Sequence, residues 1–178
     1  MYFFTADEHY GHVNIIRFCN RPFENSFEMD NEIIRRHNEV VTNEDTVIHG
    51  GDVSLHSNTN FVFEKYISKL NGKNHIFIKG SHDKWLRENK YSYIWENNIQ
   101  GQFIIVCHYA MRVWARSHYN SWQLYGHSHG KLNSVGKQWD IGVDNNNFYP
   151  VSFNQLVEIM KKQPDNFNLI KKDRNEKE

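Results

Sequence analysis

Several things are scarce in this sequence, and each scarcity excludes something. Cys19 and Cys107 are the only cysteines in 178 residues, too few for a disulfide framework or a thiolate metal cluster. No stretch approaches the roughly 18 apolar residues that span a bilayer. The beginning, "MYFFTADEHYG", lacks a basic region followed by a long apolar run. Cytoplasmic residence with no membrane partner is therefore the expectation. Charge of one sign is also missing, because Lys plus Arg match Asp plus Glu at 21 each. No global field recruits nucleic acid, although a local basic groove stays compatible with that balance. Internal repeats and interdomain linkers are not evident. A single domain over residues 1–163 is expected, followed by a charged, solvated tail over 164–178.

Hydrophobic patterning suggests how that domain is built. "MYFFTAD" reads as a buried strand opening into a loop. "EMDNEIIRRHNEVV" places Met29, Ile33, Ile34, His37, Val40 and Val41 at helical spacing, with a start near Ser26 or Asp30. "DTVIHGGD" returns to a strand. "NTNFVFEKYISKLNG" (58–72) reads as a second helix with Phe61, Phe63, Ile67 and Leu70 on its apolar side, and "HIFIKGSHD" as a third strand. Strand–helix–strand–helix–strand is the signature of parallel pairing through crossover helices. After residue 90, "YSYIWE", "QFIIVCH", "WQLYGHSHG" and "KQWDIGVD" are strand-like pieces joined by loops, which predicts a second, more antiparallel sheet. "VSFNQLVEIMKK" reads as the closing helix.

Histidine is plentiful, with 11 in the chain, and its placement matters more than its number. Five strand-like segments end in metal-ligating side chains: Asp7 and His9, Asp52, Ser81-His82-Asp83, His108, and His127 with His129. Loops beyond the carboxyl ends of strands converge in open α/β sheets, so these distant residues are expected to meet. A lone histidine at a strand end is ordinarily a structural residue. Several imidazoles and carboxylates in one cleft instead require a compensating cation. A mixed nitrogen and oxygen set suits Mn²⁺, Fe or Zn²⁺ better than Ca²⁺.

The order D-x-H, GD, G-x-HD, H and GHSH resembles the calcineurin-like metallophosphoesterase family over roughly residues 2–145. That resemblance implies an α/β (borderline α+β) four-layer sandwich of two facing mixed sheets flanked by helices. It implies two divalent metals, Mn or Fe preferred and Zn possible. Asp7, His9, Asp52 and His129 would hold the first metal. Asp52 would bridge to a second, completed by His108, His127 and the residue at position 81. A hydroxide shared by the metals would attack a phosphoester, with Asp52 and His82 as the catalytic pair and His82 facing the phosphoryl group.

Two departures stand out. Ser81 occupies the place of the family's usual asparagine, and three arrangements are open to it: direct ligation, contact through water, or no contact. "GDVSL" puts Leu55 where many relatives carry the aspartate that orients the catalytic histidine.

Around this set, His12, Arg17 and Arg21 are near the first motif in sequence. Tyr109, Arg112, Trp114 and Arg116 form either a substrate rim or a cover for the second sheet. His12, Tyr109 and Arg112 are the substrate-binding candidates. The expected substrate is a phosphoester small molecule or nucleotide, with a slight preference for diesters over monoesters. A noncatalytic metal-binding interaction module on the same scaffold is the rival class, and a nucleic-acid partner is a further alternative. The sequence sets no oligomeric state.

Overall fold

The computed structural model describes residues 1–170. Two four-stranded mixed sheets face each other, with helices on their flanks. In the first sheet β1 (Tyr2–Thr5) pairs in parallel with β2 (Thr46–His49), and β2 with β3 (Asn74–Phe77). The short β8 (Val151–Ser152) runs antiparallel along the other side of β1. Alternation decides what each strand buries. Phe4 and Ile48 face the inter-sheet core, while Phe3 and Val47 turn to the opposite face against Val41.

The second sheet is ordered β4 (Ile94–Ile99), β5 (Gln102–Cys107), β6 (Trp122–Tyr125), β7 (Gln138–Asp140). Only β4–β5 is antiparallel; β5–β6 and β6–β7 are parallel, which corrects the expectation of a mainly antiparallel sheet. The parallel connections run through irregular chain rather than crossover helices, so no helical periodicity announces them. Ile104, Val106 and Leu124 meet Phe4 and Ile48 in the core between the sheets. On the outer face, Gln123 and Gln138 bind backbone of the 109–111 loop, which lies over them.

Helices α1 (Val13–Phe18), α2 (Ser26–Val40) and α3 (Thr59–Lys65) supply Ile15, Met29, Ile33 and Val62 to a second core. The start of α2 is fixed by Asn25, whose side chain accepts from the Glu28 N–H at 2.9 Å. The second expected helix is shorter than its pattern suggested: it ends at Lys65 and yields to a 3₁₀ turn at Ile67–Lys69. That break shifts its face, burying Val62 and leaving Phe63 exposed. The closing helix, α4 (Phe153–Lys162), begins one residue after β8. Ser152 and Gln155 cap it reciprocally, and Phe153, Leu156 and Met160 join the inter-sheet core.

The expected tail divides. Asn166 is buried and donates to the Ser117 and Ser121 carbonyls, so the segment just past Pro164 is anchored rather than solvated. The remainder of that tail, 171–178, lies outside the described residues. Among the described residues no helix is long and apolar enough to cross a membrane.

Candidate metal centre

β1, β2 and β3 are parallel, as are β5, β6 and β7, so their carboxyl ends open into two sets of loops. The chain joins these sets where Ala6 bridges Gly142 and the Ala6 carbonyl accepts from the Val143 N–H at 2.9 Å. Asp7, His9, Asp52, Ser81, His108, His127 and His129 all lie in these loops. Ligand atoms of Asp7, His9 and His129 lie within 4.8 Å of one another, and so do those of Asp52, His108 and His127. These two groups can each hold a metal ion.

Asp52 sits between them. Its Oδ2 lies 3.2 Å from His108 Nε2 and 3.8 Å from His9 Nε2. The Oδ1 atom accepts the His82 backbone N–H at 2.8 Å, and Ser81 Oγ donates to Oδ2 at 3.0 Å. Ser81 thus reaches the carboxylate between the groups.

The donor atoms fit a cation. His108 Nδ1 is 3.1 Å from the Gly50 carbonyl, which can only accept, so Nδ1 carries the proton. In the neutral imidazole Nε2 is then left with a lone pair facing a carboxylate oxygen, buried and without an aligned hydrogen-bond partner. His9 Nε2 is likewise buried and unpartnered. Two basic nitrogens flanking one carboxylate oxygen are favourable only with positive charge among them.

Ionisation shows the same need. Burial pushes the Asp7 carboxyl up to about 7, despite opposing contributions from His129 and His108. Burial also lowers His9 to about 2. For Asp52, burial acts upward, but the nearby His108 ring, then the His82 N–H, hold it below the usual carboxylate range. His108 shows the converse: burial disfavours its charge, and Asp52 overcomes that penalty and raises it.

Backbone geometry carries a cost here. Asp7, His9, Asp52, His127 and His129 all have φ between 48° and 67°, in the left-handed region. Such a conformation costs a residue with a Cβ roughly 1–2 kcal/mol. The loops are held in it by buried acceptors. Asp83 receives the N–H groups of Asp52, Val53 and Gly80 and the Trp85 indole at 2.7–2.9 Å. Asp7 accepts the His127 N–H at 2.8 Å, and Asp140 accepts those of Gly130 and Gly142 at 2.9 and 2.8 Å. Close approach explains two glycines: a Cβ at Gly80 would collide with Asp52, and one at Gly142 would sit 2.7 Å from Asp7 Oδ2.

His82 stands at the rim, its side chain 41% exposed and its Nε2 3.9 Å from Asp52 Oδ2. Asp83 does not orient it, since that carboxylate is turned onto backbone, and Leu55 is exposed. The His82 ring instead neighbours those of His9 and His12, with centroids 5.2 and 6.0 Å away. His12 Nδ1 lies 3.2 Å from His9 Nδ1.

The outer candidates separate. Tyr109 packs edge-on against His108 and His127 and is half exposed. Arg112 lines a 430 Å³ groove with Met111, Leu132 and Phe167. Trp114 is buried and donates to the Ser121 carbonyl, and Arg116 stacks on Phe103, so both cover the second sheet. Arg17 is exposed beside Phe18. Arg21 is buried, with its guanidinium on Asp144 and on the carbonyls of Asp7 and Glu8, and is not free to clamp a phosphate.

Asp144 and Asp140 were missed in the sequence. Their signal was present in "QWDIGVD", where a strand again ends among carboxylates.

No family model matches the chain. Among curated proteins it is similar to Uncharacterized protein MJ1445 of Methanocaldococcus jannaschii, 28% identical over 173 residues, spanning 90% of this chain and 91% of the relative. Among solved structures, AQ665 of Aquifex aeolicus, a protein of unknown function, shares the fold. Its TM-score is 0.68 at 22% identity, over 89% of this chain and 98% of that one. A predicted phosphoesterase from Streptococcus pneumoniae TIGR4 gives a TM-score of 0.40 at 18% identity, over 79% of this chain and 70% of that one. A single mutant of Vps29 from Entamoeba histolytica gives 0.42 at 16%, over 79% and 72%.

Proposed function

We propose that this protein is a dinuclear-metal-dependent phosphoesterase. The observation that supports it most is the placement of Asp52, with one carboxylate oxygen between His9 of the first ligand group and His108 of the second. Divalent cations in such a pair of sites neutralise phosphoryl charge and activate a water for in-line attack. The protein's own contribution is to fix the ligands. Asp52 is immobilised by the His82 N–H and the Ser81 hydroxyl, in a loop whose backbone Asp83 holds.

His82 is the residue assigned to the substrate. Its imidazole is half exposed at the rim, with Nε2 3.9 Å from Asp52 Oδ2, which supports a position beside the reacting group. It would stabilise charge on the phosphoryl oxygens or protonate the leaving oxygen. Ser81, His127 and Tyr109 are exposed alongside it, so the centre is open enough for a small phosphoester or nucleotide, and a diester is slightly preferred. Tyr109 and His12 would border that substrate on opposite sides.

The test is hydrolysis of bis-p-nitrophenyl phosphate and p-nitrophenyl phosphate after Mn²⁺ reconstitution, with metal content measured on the same samples. His82→Ala is expected to keep its metals and lose about 10²–10⁴-fold in turnover. Unchanged turnover, or loss of metal from that variant, would remove His82 from this role.

A further inference from the structure

One buried cation ties both ends of the first ligand group together. Arg21 donates through Nε to Asp144 Oδ1 and through Nη2 to Asp144 Oδ2, each at 2.8 Å. The same guanidinium donates to the Asp7 carbonyl at 2.7 Å and to the Glu8 carbonyl at 3.0 Å. Asp144 Oδ2 in turn accepts the Nδ1–H of His129 at 2.7 Å. Asp7 and His129 are far apart in sequence, and this bracket spans them.

The chemistry follows from donor and acceptor counting. A carboxylate held on both oxygens by a guanidinium has no proton to give, so His129 must carry its proton on Nδ1. Nε2 is then the lone-pair atom. Cys19 Sγ also lies near His129 and Asp144. A third metal there is disfavoured because both Asp144 oxygens are already engaged by Arg21 and His129.

We infer that Asp144, locked by Arg21, is a positioning residue that fixes the tautomer and orientation of His129. It thereby makes the Asp7–His9–His129 group the tighter of the two metal sites. A histidine ligand oriented through its other nitrogen by a carboxylate characteristically binds metal 10–100-fold more tightly than without that partner. The inference rests on the two-metal reading above but not on the reaction.

The experiment is calorimetric titration of the metal-free protein with Mn²⁺, paired with ¹⁵N NMR of the histidine side chains. Wild type is expected to bind in two separable steps, with His129 in the Nδ1–H form before metal is added. Asp144→Asn should weaken the tighter step by about 10–100-fold and leave the weaker one in place, with loss of the pure Nδ1–H signature. His127→Ala should do the reverse, removing the weaker step alone. An Asp144→Glu variant, which restores the carboxylate, covers the case in which the amide fails to fold. An unchanged tight step, or an unchanged His129 tautomer, in folded Asp144→Asn overturns the inference, and so does an Asp144→Glu protein that folds but keeps neither. Absence of any Mn²⁺ binding by wild type would overturn the two-metal reading itself. Two-step binding without hydrolysis would leave this inference standing and reject the phosphoesterase.

Discussion

The two halves of the candidate centre are built to different standards. In the first, Asp7 and His9 are fully buried, and the rings of His9 and His129 are each held through Nδ1, by His12 and by Asp144. In the second, His108 is held by the Gly50 carbonyl, but His127 and Ser81 are exposed, and the His127 ring rests edge-on against His108 and Tyr109. Asp52, a member of the second, also lies within 3.8 Å of His9 in the first. Preorganisation reduces the ordering cost of binding, so under the proposed function one half would be a built receptacle and the other would be completed as its ion arrived. Under the proposed function, an open second half is also where an incoming phosphoester would have room.

The variant that should break both halves at once is Asp52→Ala, because it removes the oxygen between His9 and His108. Two-metal loading and phosphoester hydrolysis are both expected to fall to background. A variant with two bound metals and full turnover would show that the halves do not share this carboxylate.

A smaller, one-sided effect is expected from Ser81→Asn. Ser81 Oγ donates to Asp52 on the exposed side, and an amide carbonyl at that position offers a direct ligand instead. Second-step Mn²⁺ affinity should change while the first step stays as in wild type. Identical titrations and rates would mean that position 81 touches neither metal nor its bridge.

A third contrast separates the centre from the histidines that stabilise the fold without it. His37 is on the buried face of α2, its Nε2 2.8 Å from the Asn71 carbonyl, with its ring stacked near those of His49 and His75. Burial lowers His37 from 6.5 to about 3. The unfolded chain therefore takes up a proton below 6.5 that the folded one refuses until about 3, and stability is lost as pH falls through that window. At pH 5 the loss is about 2 kcal/mol for such a histidine. In urea titrations of metal-free protein, the drop in stability between pH 7 and pH 5 should shrink by about that amount in His37→Gln. An equal drop in both proteins would assign the acid sensitivity elsewhere.

Much of the centre was legible because its donors sit where strands end. Asp-x-His, Gly-Asp and Gly-His-Ser-His are short, polar and next to apolar runs, so type and place could be read together. The strained backbone at Asp7, Asp52 and His127 leaves no comparable mark, because the enrichment of aspartate and histidine at positive φ does not single out which of them adopt it. Arg21 and Asp144 were opaque for a different reason. Their meaning lies in a contact across 123 positions of chain, and Arg21 by itself showed only its nearness to the first motif in sequence. Among the elements, α2 was read from its periodicity, whereas the six-residue α1 is too short to show one. The face of α3 was misplaced because the 3₁₀ turn at Ile67–Lys69 breaks the repeat that joined Phe63 to Ile67 and Leu70.

The most direct measurement is anomalous diffraction at the manganese edge from crystals grown with Mn²⁺. Two peaks flanking the Asp52 carboxylate, one among Asp7, His9 and His129 and the other between His108 and His127, are the predicted result. A single peak, or metal bound away from Asp52, would contradict the shared centre on which the proposed function stands.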